Sequence, residues 1–400
     1  MSENMEAGMN RTAAARENAQ VIKGKVTVST GHGIYDVVIG QKLDFGRLLR
    51  NMPRFKEKAC KILLVTEDSV DDLYGEMVKK NLESAGFEVR YAIFDHGEES
   101  KCLLTLEYLL ERSADVGLTK SDIYVALGGG VVGDIAGFAS AVYLRGIDFI
   151  QIPTTILAAV DSSVGGKTAI DLEMGKNLVG AFHQPLGVFL DTDFFDTLPD
   201  ETKSEGLAEA IKYGMIRDAS LLDEFEKDDP DIVEICRRCI QIKADVVHID
   251  ELDQGLRKIL NFGHTPAHSI ENLSKYRTSH GNAVAIGMVI MTKLSEKLGK
   301  LPANDASDRL LRILKRYNLP VSTGYTAAEL AEVAKLDKKR EGDDISLVLL
   351  DKVGEAVVEK YPVEELERLF AEGMESRVMQ HVRRGDPGNS KNSQESVPWI

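Results

Sequence analysis

Cysteine is scarce in this chain. Four residues, Cys60, Cys102, Cys236 and Cys239, are spread over 400 positions. That is too few for a disulfide framework at this length and favours a reducing, cytoplasmic setting. Cys236 and Cys239 form a lone C-x-x-C inside the helical-looking run 232–247, with no second pair to complete a tetrahedral site, so two helix thiols are expected there. Long hydrophobic runs are also missing. Nothing approaches the roughly 18–20 apolar residues of a membrane span, and the polar stretch Met1 to Asn18 lacks the apolar centre of a secretory signal. Positive charge is in deficit: 49 Lys and Arg against 64 Asp and Glu give a formal net charge of -15. Such a balance excludes a basic nucleic-acid-binding surface. It also means that an anionic ligand would need a local cluster of cations to overcome the overall field.

What remains is a globular composition, 43% hydrophobic and 28% charged, long enough for two domains. Residues 1–20 and 376–400 are polar and read as unstructured tails. Over 21–195, short β-rich runs (61–66, 88–94, 122–129, 149–154 and 187–192) alternate with helical segments, the pattern of a mostly parallel sheet covered on both faces. From 196 to 375 the pattern turns helical, apart from one short apolar run at 345–350. The expected architecture is a Rossmann-like α/β domain followed by an all-α domain, with a site in the cleft between them.

The first chemical signal is the run Gly128-Gly129-Gly130-Val131-Val132-Gly133-Asp134, placed after a strand and leading into a helix. Glycines let backbone amides approach a diphosphate, and free amides at a helix start favour negative charge, although the spacing is not G-x-G-x-x-G. The plainer alternative is a tight turn without a ligand. A second loop, 153–168, is dense in hydroxyls and ends in Gly165-Gly166-Lys167-Thr168. Asp161 stands where a P-loop needs glycine, so a Walker site is not expected. Lys167, Lys176 and Asn177 instead suit an anion-binding edge.

Histidine is sparse, yet three of the eight fall close together: His264, His268 and His280. With Glu209 on an earlier helix, two imidazoles and a carboxylate make a metal set with an open position. His264 and His268 have i, i+4 spacing. Pro266, however, fits best at the first helical position with Thr265 as N-cap, which leaves His264 outside regular helix and makes His264 with His280 the more attractive pair. Solvated or core histidines are the alternative.

These blocks, in this order, resemble the 3-dehydroquinate synthase family over about Val26 to Glu359. The carriers are GGGVVGDIAGFASAVYLRGIDFIQIPTTILAAVDSSVGGKTAID, GKNLVGAFHQP, AEAIKYG, LRKILNFGHT and HGNAVAIGM. The resemblance implies metal ligands Glu209, His264 and His280, with zinc or cobalt as the ion. It implies NAD contacts at Glu67, Glu98, Lys101, Gly129, Gly130, Val131, Asp134, Thr154, Thr155 and Lys176. Substrate contacts would come from Asp161, Lys167, Asn177, Lys212, Lys243, Arg257, Asn261 and His268, with one of Lys338 and Lys339 completing the anion site. Of these, Lys167, Lys212, Arg257, Asn261 and His268 would serve the chemistry. Arg145 matches an arginine that the family lends across a homodimer interface. Four positions depart from the family: Glu67 replaces an Asp, Pro266-Ala267 replace a bulky residue and a glycine, and Asn282 replaces a Glu.

The implied reaction is a step of the shikimate pathway toward aromatic amino acids. It converts 3-deoxy-D-arabino-heptulosonate 7-phosphate to 3-dehydroquinate and phosphate, with transient oxidation by NAD, no net redox and an intramolecular aldol closure. Two enzyme alternatives share the architecture: another sugar phosphate cyclase, and a metal-dependent polyol or alcohol dehydrogenase, which would not need the lysines. A catalytically dead NAD-binding scaffold is a third reading, and an intact ligand set counts against it.

Overall fold

The computed structural model describes residues 20–56, 60–335, 340–341 and 343–375. The expected tails, Gln20 apart, and the pair Lys338 and Lys339 lie outside the described residues.

Seven strands form one sheet in the order β1-β2-β9-β6-β5-β3-β4. They are β1 (Val21–Thr30), β2 (Gly33–Gln41), β3 (Lys61–Glu67), β4 (Glu88–Phe94), β5 (Ile123–Gly128), β6 (Asp148–Pro153) and β9 (Gly187–Asp191). All neighbours run parallel except β1 with β2. The central strands are apolar throughout, as sheets buried on both faces require; every residue of β5 and β9 is buried. Helices α1 (Phe45–Asn51), α2 (Glu76–Ser84), α3 (Leu103–Asp115) and α4 (Gly130–Val142) connect the strands. A π-helical turn, Asp71–Gly75, leads into α2. From β3 the chain moves outward to β4 and returns on the other side of β3 to β5, so the order reverses between β3 and β5. A crevice at the carboxyl ends of strands flanking such a reversal is where open α/β sheets bind ligands.

Two hairpins escape the strand–helix pattern. β1 and β2 extend the sheet edge, and their inward residues Val26, Val28, Val37 and Ile39 join the core of the helical half. The loop expected at 153–168 ends in a separate hairpin, β7 (Lys167–Leu172) with β8 (Gly175–Phe182). Exposure on both sides of β8 leaves it without the alternation that marks a half-buried strand.

The remainder is α5 (Asp200–Ile216), α6 (Leu221–Glu226), α7 (Ile232–Ile249), α8 (His264–Leu273), α9 (His280–Lys297), α10 (Asp305–Arg316), α11 (Ala327–Ala334) and α12 (Leu366–Met374). This half is helical but not all-α. The apolar run at 345–350 belongs to β11 (Asp344–Lys352), which pairs with β12 (Glu355–Pro362) on one side and β10 (Arg340–Glu341) on the other. The Leu350 amide donates to Ser295 Oγ of α9 at 3.0 Å, docking this sheet on the helices. Helix α9 is buried at nearly every position from Ala283 to Met291 and forms the axis of the bundle. Where it crosses the start of α8, a Cβ on Gly287 would lie 2.0 Å from the Gly263 carbonyl oxygen. Gly263, at φ +79, also corrects the expected cap: it precedes His264, so His264 opens the helix and Thr265 sits inside it. Pro266 then falls in the first turn, where its missing N–H costs nothing. Cys236 and Cys239 are buried in α7 with free thiols, as the isolated pair implies. Among the described residues, no helix is long and apolar enough to cross a membrane.

Candidate active site

The crevice at the sheet's reversal collects the residues expected to hold a dinucleotide. The β5–β6 register sets Gly128 beside Pro153, so Gly129 and Thr154 leave the sheet side by side, while Glu67 ends β3 next door. Gly129 is the N-cap of α4 and has no side-chain cap, which leaves the first amides of that helix open. A Cβ on Gly130 would stand 3.3 Å from Ser162 Oγ, and one on Gly129 the same distance from Thr155 Cγ2. Thr154 Oγ1, Ser162 Oγ and Ser163 Oγ are buried without a hydrogen-bond partner among the described residues. Buried polar atoms are normally paired, so three orphaned hydroxyls around bare helix amides fit a polar ligand laid over the glycines.

Lys101, itself buried, donates to Asp134 Oδ2 and to Asn177 Oδ1, both at 2.6 Å. Burial works against its charge, but Asp134 and Glu98 raise its pKa and keep it an ammonium. Asn177, expected among the substrate contacts, is thereby tied to the cofactor side, held at φ +55 on β8. Lys176 lies 3.5 Å from Glu98.

The second cluster lies in the helical half. Glu209 from α5, His264 from the start of α8 and His280 from the start of α9 bring ligand atoms within 4.8 Å of one another. His264 Nε2 is 3.5 Å and His280 Nε2 is 3.4 Å from Glu209 Oε1. Donors about 2.0–2.1 Å from a tetrahedral ion stand roughly 3.3–3.4 Å apart, so this spacing suits a shared ion. Both Glu209 oxygens are buried and neither has a hydrogen bond of normal geometry among the described residues, although Lys212 Nζ lies against Oε2. Burial opposes a charge on His280, but the Glu209 and Glu271 carboxylates beside it overcome this and push the imidazole up to about 10. Of the two histidine pairings left open by spacing, His264 with His280 is the one in the cluster. His268 is exposed beside it, its ring 5.7 Å from that of His264.

A π-helical turn, Ala158–Ser162, packs against α4, α5 and α7 and joins the two clusters. It carries Asp161, whose carboxylate meets Lys243 Nζ and accepts from the Tyr213 hydroxyl at 3.0 Å. Burial would raise the Asp161 carboxyl, yet Lys243 and Lys212 hold it well below the usual range. Burial pushes the Lys243 ammonium down to about 8, with Asp161 opposing and Arg257 adding to the fall. Arg257 is 2% exposed and donates to the carbonyls of Glu251 at 2.6 Å and Gly165 at 3.1 Å. Lys167 pairs with Asp253, and Asn261 ends the 3-10 turn Leu256–Asn261 just before His264.

Arg145 stays apart. It is exposed beyond the end of α4, at the sheet edge opposite Gly128, with Leu144 and itself at φ +48 and +63. Sequence reasoning missed Asp253, Tyr213 and Glu271. Glu271 could have been found, because it lies two helical turns after His264 on the same helix face.

A family profile described as "3-dehydroquinate synthase N-terminal" matches residues 91–205, and one described as "3-dehydroquinate synthase C-terminal" matches residues 206–340. A 3-dehydroquinate synthase of Clostridium acetobutylicum is 46% identical over 314 residues, 76% of this chain and 88% of that protein. Among solved structures, a 2-deoxy-scyllo-inosose synthase complexed with carbaglucose-6-phosphate, NAD+ and Co2+ aligns with a TM-score of 0.75 at 25% identity, covering 88% of this chain and 100% of its own. A 2-epi-5-epi-valiolone synthase from Streptomyces hygroscopicus, with NAD+ and Zn2+ bound, gives 0.75 at 26% identity over 84% of this chain and 95% of its own.

Proposed function

The chain belongs to the 3-dehydroquinate synthase family, and from that premise we propose how its residues divide the work of the reaction. Its activity is 3-dehydroquinate synthesis from a sugar phosphate. The substrate we assign is 3-deoxy-D-arabino-heptulosonate 7-phosphate, with NAD in the β3–β5 crevice and Zn2+ or Co2+ on Glu209, His264 and His280. When bound, NAD supplies reversible hydride transfer and the ion polarises a substrate hydroxyl, with no net redox.

The rest falls to the chain itself. Glu67, Glu98, Lys101, Asp134, Thr154, Thr155 and Lys176, with the amides of Gly129, Gly130 and Val131, orient the cofactor. Lys212 and Lys243, held close by Asp161, bind the anionic groups of the substrate, and Lys167 and Arg257 extend that anion site, with Lys338 or Lys339 completing it. Asn177 and Asn261 orient hydroxyls. His268, exposed beside the ligand cluster, holds and returns a proton at an imidazole nitrogen. Residues 21–195 form the cofactor domain and 196–375 the metal and substrate domain. Arg145, exposed beyond the end of α4, serves the site of a second copy in a homodimer. The unpaired thiols suit a cytoplasmic setting.

The observation that carries this reading is the convergence of Glu209, His264 and His280 beside the buried Lys212, Lys243 and Asp161. A dehydrogenase would need the ligands but not the lysines. The test is product identification after adding the heptulosonate phosphate, NAD and zinc. 3-Dehydroquinate and phosphate should appear in equal amounts without accumulating NADH. A different carbocycle from another sugar phosphate would point to a related cyclase, and NADH formed in proportion to product would refute the scheme. His264→Ala should lose metal and turnover while retaining NAD binding; full activity in that variant would sink the metal assignment.

A further inference from the structure

The two ligand histidines are held in different ways. His264 directs Nδ1 at the carbonyl of Phe262, 3.1 Å away, a neutral group of its own chain segment. His280 directs Nδ1 at a full carboxylate, Glu271 Oε1, at 3.4 Å. Each ring therefore turns Nε2 toward Glu209, and among the described residues the Nδ1 of His280 faces a carboxylate and that of His264 a carbonyl. Glu271 is 4% exposed, on the buried face of α8, and the packing of α8 on α9 sets it behind His280. Lys176 Nζ of β8 is farther off at 3.9 Å, and His268 of the same helix also acts on the carboxylate.

We propose that Glu271 is a positioning residue for the metal centre: it fixes the His280 ring, selects Nε2 as the ligand atom and makes that nitrogen the stronger donor of the two. The physical reason is that an acceptor behind an imidazole locks its tautomer and raises its basicity, and a charged carboxylate raises it more than a neutral carbonyl does. Burying an acid here is costly unless it has a cationic or donor partner, and the nearer one is the ligand ring. This inference rests on the metal assignment made above.

The test uses the full chain, with zinc or cobalt alone as the probe and a competing chelator to read the dissociation constant. Glu271→Ala should bind metal about 10- to 100-fold more weakly, the usual cost of removing such a partner. Glu271→Gln, which keeps an acceptor and drops the charge, should recover part of that loss. The visible absorption of the cobalt protein should change in both, with NAD binding preserved. Two controls separate positioning from packing. Ser269→Ala removes a buried hydroxyl that donates to the Leu330 carbonyl from the same helix. Lys176→Met removes the alternative partner of Glu271. Both should keep the wild-type metal affinity and cobalt spectrum. Wild-type affinity and spectrum in the Glu271 variants would overturn the inference, as would an equal loss in either control. Loss of metal in His264→Ala with no change at Glu271 defeats this inference alone; undiminished metal binding in His264→Ala defeats the metal assignment beneath it.

Discussion

Gly287→Ala sets two magnitudes against each other at the point where the ligand helices cross. Gly287 lies in the interior of α9, where alanine is worth about 1 kcal/mol over glycine in helix propensity alone. Local reasoning therefore predicts stabilisation. The added Cβ, however, would stand 2.0 Å from the Gly263 carbonyl oxygen and 2.9 Å from its carbon. Both are backbone atoms, so no rotamer change relieves the clash. Overpacking a filled contact costs about 1–3 kcal/mol, and a contact this short belongs at the upper end. Packing should win, leaving a net loss of about 1–2 kcal/mol. The displaced segment is the one that carries His264, so its Nε2 should move from Glu209 and metal affinity should fall with stability. The assay is a thermal melt of the metal-free chain, a few degrees lower than wild type, followed by chelator competition on the loaded chain. Gly324→Ala, with open space around its Cβ position, is the control and should melt no lower than wild type. A Gly287→Ala protein that is about 1 kcal/mol more stable with unchanged metal affinity would refute the reasoning, because propensity would then outweigh the crossing.

Lys243, at about 8 in the free protein, titrates in the folded state before it does in the unfolded chain. Between about pH 8 and 10.4 the unfolded state holds the extra proton, so this residue makes stability rise with pH there. Anion binding should move the other way. If Lys243 must be charged to hold substrate, kcat/KM falls above about pH 8, and Lys243→Arg shifts that limb upward; an unmoved limb would rule Lys243 out as its source. Lys101→Met leaves the Asp134 carboxylate without its cation and should destabilise the fold by about 3–5 kcal/mol and weaken NAD binding, read by melting and by titration with NAD. The double variant Cys236→Ala, Cys239→Ala should keep one metal ion per chain by elemental analysis while losing roughly 1 kcal/mol of packing per thiol; loss of the ion would return the pair to the metal site. Mixed and allowed to exchange subunits, Arg145→Ala and Lys212→Ala proteins should regain about a quarter of the activity if the arginine acts across a two-fold interface, and none if it does not.

The parallel sheet, the glycine turn into α4, the placing of Cys236 and Cys239 on a helix and most helices were legible in the sequence, because period and turn chemistry are local and repeat within a few residues. The ordered blocks from Gly128 to Gly281 carried the family and the ligand set. The hairpin β7–β8 and the strands β11 and β12 were not legible as a pair of sheets, since their pairing partners, not their own alternation, make them strands. Tertiary structure brought together His264 and His280, the pair the sequence favoured, through a left-handed glycine that lets α9 cross close to α8. It alone tied Asn177 to Lys101, Lys167 to Asp253 and Glu271 to His280. Charged side chains far apart in sequence leave no periodic trace; only burial, which makes an unpaired charge costly, decides which of them must meet.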